Sequence, residues 1–225
     1  MLFRSPSCRA GEGALVVAAP GVVIYAFQRC TAQLRCQVIA RRMVEARIPK
    51  FRVPVPLRKG RGSGINNRMQ PLPHTRSCFV CGEANPLGLR LRMETDGRKV
   101  FTRWTPAAEH IGFQDTVHGG LISTVLDEVM VWACAIPTRR FAYCAELTVR
   151  FRQPIRPGME TRIESELTRN LRDRIYEAWA TVRDAEGHEL AVATGKYRPI
   201  PNQATEALLA DVVGDMARWI DIRKE

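Results

Sequence analysis

A chain of 225 residues, 45% hydrophobic and 25% charged, is long enough for one or two domains with proper cores and has an ordinary globular composition. Its formal net charge of +11 invites a nucleic acid or anionic membrane as partner, but the charge is unevenly placed. Residues 1–68 hold 13 Arg and Lys against Glu12 and Glu45, whereas residues 69–225 hold 21 charges of each sign, so no nucleic-acid partner is expected there.

Seven cysteines, an odd and scattered set in a chain too large to need disulfide staples, imply a reducing compartment, and a cytoplasmic location is expected. No apolar run reaches the ~18–20 residues that span a bilayer, so no membrane partner is expected. The closest, Ala14 to Phe27, is broken by Pro20 and Gly21.

Residues 1–68 admit three readings. Arg4 and Arg9 before an apolar stretch faintly suggest a secretory signal, without a clear cleavage site. An Arg-rich, acid-poor segment also suits a mitochondrial transit peptide, the alternative location. The abrupt change of charge best fits Met69 as the true start, with a poorly ordered basic leader before it. Residues 58–64 (Arg-Lys-Gly-Arg-Gly-Ser-Gly) read as a flexible linker.

From Met69 the sequence becomes orderly. His74, Cys78, Cys81 and Gly82 form H-x3-C-x2-C-G, which is similar to a zinc knuckle, but a closed zinc site wants four ligands. With only three candidates, a tight turn with small packed cysteines is the favoured reading and no metal is expected. Gly88 to Glu94 alternates apolar and polar as a half-buried strand, Gly97 turns the chain, and Lys99 to Trp104 returns. Thr105 to Val117 reads as a loop.

Next comes the one long helical pattern, with apolar residues at 121, 122, 125, 126, 129, 130 and 133. So wide an apolar arc predicts a buried helix from about 118 to 135, ending before Pro137. Four strands follow: Phe141 to Phe151, Glu160 to Leu171, Arg174 to Asp184 and Leu190 to Tyr197, with turns at Pro157-Gly158, Arg172-Asp173 and Glu186-Gly187. Thr205 to Ile220 again shows helical spacing. Two strands, a helix and four antiparallel strands make an α+β domain whose curved sheet covers the helix.

The start of a buried helix presents unpaired N–H groups and a positive dipole end. Gly119 and Gly120 leave those amides sterically open, which suits an oxyanion hole. Asp127 supplies a carboxylate able to act as nucleophile or as base on water. Eight residues separate Gly119 from Asp127, roughly 12 Å along one helix at ~1.5 Å per residue. Both can touch one carbonyl only if they come from different subunits across a two-fold axis. The plainer alternative is a buried carboxylate satisfied by a nearby Ser or Thr. Glu128 points about 100° away from Asp127 and is expected to face elsewhere or form a salt bridge. Arg150, Arg152 and Arg156 could meet phosphates, but solvated strand charges are the default.

His118-Gly119-Gly120 with Asp127 nine positions after the histidine resembles the hotdog-fold thioesterases of the phenylacetate-pathway type and the related human thioesterase-superfamily members. Cys78-Phe-Val-Cys81-Gly82 with Asn85-Pro86-Leu87-Gly88-Leu89 is similar to the opening of many bacterial members, and Ala145 to Phe151 with Pro154 beyond also matches. The resemblance covers about residues 76–198. It implies that an amide at Gly119 or Gly120 polarises the thioester carbonyl, that Asp127 drives hydrolysis, and that His118 shapes the helix start. Gln114 is the candidate assisting residue of the preceding loop. Cys144 stands where relatives often carry Ser or Thr to position water or the acid, and a thiol is a poorer donor.

The expectation is an α+β hotdog fold: an antiparallel curved sheet wrapped around one long central helix, plus a short C-terminal helix. Residues 1–68 would be leader, 69–200 the hotdog domain and 201–225 the C-terminal helix. The function implied is acyl-CoA thioester hydrolysis by a homodimer or tetramer, without metal or organic cofactor. The alternative is a non-catalytic acyl-CoA-binding hotdog protein.

Overall fold

The hairpin signals translate directly into strand neighbours. In the computed structural model the described residues are 18–19, 22–23, 69–201 and 209–221. The chain divides into two units, Met1–Arg52 and Val53–Glu225. Of the first, only an antiparallel ribbon of β1 (Ala18–Ala19) and β2 (Val22–Val23) is described. The leader and linker readings otherwise lie outside the described residues.

The second unit holds β3 (Gln70–Pro71), β4 (His74–Thr75), β5 (Met93–Thr95), β6 (Lys99–Trp104), β7 (Ile111–Phe113) and β8 (Thr116–Val117) before helix α1 (Gly119–Thr138). After the helix come β9 (Ala142–Phe151), β10 (Thr161–Leu171), β11 (Ile175–Arg183), β12 (Glu189–Pro199) and β13 (Val212–Val213). Seven of these form one sheet in the order β3-β5-β6-β10-β11-β12-β9, antiparallel throughout. The turn between β10 and β11 places Arg172 and Asp173 at φ 55° and 53°. That paired left-handed geometry matches the twist of the flanking strands.

One sheet face receives α1. Tyr176, Ala178, Ala180 and Val182 of β11 and Ala191, Ala193 and Tyr197 of β12 alternate into the core. The alanines leave room for the helix to come close. Against them α1 buries Ile122, Val125, Leu126, Val129, Met130, Trp132 and Ala133. At roughly 1.5–3 kcal/mol for each fully buried large aliphatic side chain, this stripe dominates the stability of the helix. By length and composition α1 could pass for a membrane span, yet 56% of its most apolar window is buried within the domain. It is the core helix of this sheet. An antiparallel sheet with one long helix packed on it is the hotdog architecture.

Four boundaries differ from the sequence expectation. Helix α1 runs through Pro137 to Thr138 and ends at Arg139, whose φ of 55° is left-handed. A proline in the last turn forfeits one backbone bond only, and Thr138 Oγ1 donates to the Cys134 carbonyl. The strand expected over 88–94 is confined to Met93–Thr95, because Arg90 adopts φ 54° and breaks the pleat. Leu89 and Leu91 instead donate to the Phe79 and Val80 carbonyls. The loop over 105–117 contains a 3-10 turn at Ala108–His110 and the small β7–β8 ribbon.

The helix expected over 205–220 is not continuous. Val212 and Val213 pair with Thr75 and His74, and 217–219 form a turn, while 202–208 lie outside the described residues. Met216 and Ile220 are buried as the periodicity suggests, but strand pairing captures the middle of the segment. Ser77 reinforces it by donating its N–H to Asp211 at 2.8 Å.

The outer sheet face carries a ladder of charges. Glu164 on β10 takes Lys99 of β6 at 2.8 Å and Arg183 of β11 at 2.6 Å, and Glu189 of β12 takes Arg152 at 2.8 Å. Burial opposes ionisation of Glu164, but the two cations outweigh it and hold its carboxyl below the ordinary range. A depressed folded-state pKa adds stability above the unfolded value, and that stability is lost as pH falls through the folded one. Glu164→Gln is therefore expected to lower stability by about 1 kcal/mol at neutral pH. The difference should vanish in acid below the folded-state pKa, as checked by urea denaturation across pH.

Candidate active site

The site is built where α1 meets the last two strands. Asp127 lies at the middle of α1 and is half-buried. Tyr197, fully buried on β12, donates its hydroxyl to Asp127 Oδ1 at 2.8 Å. Cys144 on β9 is the cross-strand partner of Tyr197, next to a register shift between Lys196 and Tyr197. That shift re-aims the tyrosine within the strand. Burial and the Asp127 carboxylate raise the Tyr197 phenol, so it stays protonated and acts as a donor.

Partial burial and the same carboxylate push the Cys144 thiol up to about 11, which removes it as a nucleophile at neutral pH. Cys134, buried on α1, is likewise raised by burial and by Asp127. Asp127 thus sits among donors that keep their protons. The carboxylate is not satisfied by neighbouring hydroxyls of its own helix. Ser123 and Thr124 donate back to the Gly119 and Gly120 carbonyls, each at 2.9 Å.

At the helix start the two glycines differ. His118 is the N-cap residue, and its Nδ1 accepts from the Gly120 N–H at 2.9 Å. Leu121 and Ile122 both donate to the His118 carbonyl. The Gly119 N–H is the first-turn amide with no acceptor among the described residues. A Cβ on Gly119 would stand 3.1 Å from the Phe151 ring, so glycine there lets an aromatic lid approach the amide. At Gly120 a Cβ would meet His118 Nδ1 at 2.9 Å, so this glycine serves the cap. Gln114 is exposed in the turn joining β7 to β8 and is not brought to Asp127 within this chain. Arg152 pairs with Glu189, a sheet-surface contact.

Sequence reasoning missed Tyr197. The only signal was a tyrosine at an inward position of the last strand, and its reach depends on Gly195. A Cβ on Gly195 would lie 2.6 Å from Tyr197 Cε2 and 2.9 Å from its oxygen, so the ring lies flat along the strand over that glycine. Glu128 faces away from Asp127, as its position on the helix implies, toward a cluster the sequence did not name. Glu128 forms no salt bridge among the described residues; its carboxylate meets Cys78 and Cys81, all three ligand atoms lying within 4.8 Å of one another. Burial, followed by the neighbouring Cys78, pushes Glu128 up to about 7. Within the cysteine pair, the Cys81 side chain and backbone N–H groups lower the Cys78 thiol, while Cys81 is raised by Cys78 and by burial.

With this geometry in hand, the comparisons place the domain. Residues 114–190 match the model of the thioesterase superfamily. That stretch contains Gln114, His118, Gly119, Gly120, Asp127 and Cys144, and ends before Tyr197. Protein RHA08564, a thioesterase superfamily protein of known crystal structure, is 21% identical, with 76% of this chain and 81% of that chain covered at a TM-score of 0.51. The E. coli PaaI protein from the phenylacetic acid degradation operon is 16% identical, covering 53% of this chain and 86% of its own, at a TM-score of 0.48. The smu.793 protein from Streptococcus mutans, bound to acetyl CoA, is 19% identical over 45% of this chain and 81% of its own, at a TM-score of 0.43. None of the curated proteins compared matches the chain. The fold is a hotdog fold, and the segment that matches the thioesterase superfamily model carries all but one of the candidate residues.

Gly195→Ala is expected to swing the Tyr197 ring off Asp127. One more of the four tyrosines should then ionise near the ordinary ~10 than in the wild type. An ultraviolet alkaline titration of folded protein checks this, with Tyr197→Phe as the control that removes the same phenol.

Proposed function

We propose that this domain hydrolyses acyl-CoA thioesters. Asp127 acts as base on water, and the Gly119 amide of a second subunit holds the carbonyl oxygen. The observation that carries this reading is a half-buried carboxylate held on one oxygen by Tyr197, in a chain whose helix start keeps one uncommitted amide beside a ring. The match of residues 114–190 to the thioesterase superfamily supports the substrate class.

Tyr197 fixes Oδ1 so that Oδ2 is turned to water. Water attacks the thioester carbon as Asp127 takes its proton, and the negative oxygen forms against Gly119 N–H at the positive helix end. Collapse of the intermediate breaks the C–S bond. Asp127 returns the proton to the departing thiolate, leaving free acid and coenzyme A. Cys144 lines the carboxylate without bonding covalently to substrate. His118 and Gly120 fix the geometry of the first turn, and Gln114 is the assisting side chain if the partner's ribbon approaches the cleft.

The shared site requires a dimer, and the sheet offers a surface for one. β9 is the last strand of the sheet, ten residues long and mostly exposed. Exposed Tyr143, Phe151, Ile111 and Phe113 sit on this strand and on the ribbon that leads into α1. Long edge strands with apolar side chains are ready templates for pairing with a second copy. A binding protein without turnover is the second reading, favoured by Cys144 where a hydroxyl donor would serve better.

Asp127→Asn should lower kcat on acyl-CoA substrates by roughly 10²–10⁴-fold with KM little changed. Tyr197→Phe should cost about tenfold, and Cys144→Ala less than that. Wild-type protein that binds acyl-CoA with no release of free thiol would instead establish the binding reading. The shared site has its own check: Asp127→Asn and Gly119→Val chains, each inactive alone, should regain activity on subunit mixing. Mixed dimers hold one intact pair of groups, and no recovery in verified mixed dimers would confine the site to one chain.

A further inference from the structure

Beyond the hydrolytic site, the same helix holds a second cluster that the proposed chemistry does not use. The Sγ atoms of Cys78 and Cys81 and a carboxylate oxygen of Glu128 lie within 4.8 Å of one another. We propose that these three residues bind a zinc-class divalent transition metal, which fastens the Cys78–Gly82 knuckle to the core helix.

Three observations bear on this. The first is ligand chemistry: two thiols and a carboxylate suit a borderline-soft ion, with metal–sulfur distances of ~2.3 Å and metal–oxygen distances of ~2.0–2.2 Å. Those lengths put tetrahedral ligand atoms roughly 3.4–3.8 Å apart, so small side-chain rotations close the set around an ion. The second is preorganisation. The Val80 N–H donates to Cys78 Sγ at 3.2 Å and the Thr75 N–H to Cys81 Sγ at 3.5 Å, so amides already point at both sulfurs. A Cβ on Gly82 would collide with the Arg76 and Cys78 carbonyls at 2.4 Å, so the tight knuckle demands glycine there.

The third is charge. Cys78 and Cys81 face the Glu128 carboxylate, and no Lys, Arg or His forms an ion pair with it among the described residues. Arg92 donates instead to the Cys81 carbonyl at 2.6 Å and pairs with Glu83. Enclosing a carboxylate beside two thiols without a positive charge is unfavourable, and a divalent ion relieves it. On binding, the thiol protons leave to solvent, giving two thiolates and a carboxylate around the metal. His74 is engaged by Glu83 and is not part of the set. The fourth position belongs to water or another small donor, and the role is structural because the ligands come from a loop and the helix it covers.

The full-length protein, purified in reductant and dialysed without chelator, should retain about one zinc per chain by elemental analysis. Replacing zinc by cobalt should give thiolate-to-cobalt charge-transfer absorption in the near ultraviolet. Cys78→Ser and Cys81→Ser should abolish that band, and Glu128→Gln should weaken cobalt affinity at least about tenfold while leaving it detectable. Circular dichroism shows whether each variant is folded, and the wild-type spectrum stands without any variant. Wild type with neither retained zinc nor a cobalt–thiolate band overturns the proposal. So does a Cys78–Cys81 disulfide that persists in reductant. Neither outcome touches thioester turnover, so this site and the hydrolytic site fail separately.

Discussion

Everything in this domain depends on one helix being sunk into a sheet with two acids at adjacent positions. Successive helical residues diverge by about 100°, so Asp127 and Glu128 are forced onto different sides of α1. The apolar stripe through Val125, Leu126, Val129 and Met130 fixes the rotation of the helix against the sheet. Once that rotation is set, Asp127 must face the β12–β9 side, where Tyr197 waits, and Glu128 must face the knuckle. Hydrophobic packing thus decides which polar neighbourhood each carboxylate enters, although neither acid contributes to the packing itself.

The two neighbourhoods treat charge differently. Around Asp127 the protein supplies donors that keep their protons, a phenol and a thiol both raised by burial and by the acid itself. Around Glu128 it supplies two sulfurs aimed by backbone amides and, among the described residues, no ion-pairing cation. The first arrangement can hold a carboxylate steady beside water; the second gathers groups that together suit a metal ion. The helix start completes the pattern by dividing its amides. His118 consumes the Gly120 N–H, and Phe151 closes over Gly119.

Much of the fold was legible because its signals are local. Strand-like stretches bounded by turn residues named β6, β9, β10, β11 and β12 nearly to their ends, since short hairpin connections are set by neighbouring residues. Glu186-Gly187 and Arg172-Asp173 marked real turns for the same reason. Reading failed where long-range pairing overrode a local pattern. The alternation of 88–92 was overridden by bonds to Phe79 and Val80, and the helical spacing after 205 was interrupted by pairing of Val212 and Val213 with β4.

The candidate site divides along the same line. The sequence by itself determined the buried helix, its glycine start and the carboxylate at Asp127, because helix periodicity and backbone sterics are properties of neighbouring residues. Only the tertiary structure decided that Tyr197, 70 residues away, holds that carboxylate, and that Gly120 caps rather than offers its amide. It alone turned Glu128 toward cysteines some 50 positions upstream. The physical reason is that side-chain partners across a sheet are set by strand order and register, and those are fixed only when the whole apolar surface is buried at once.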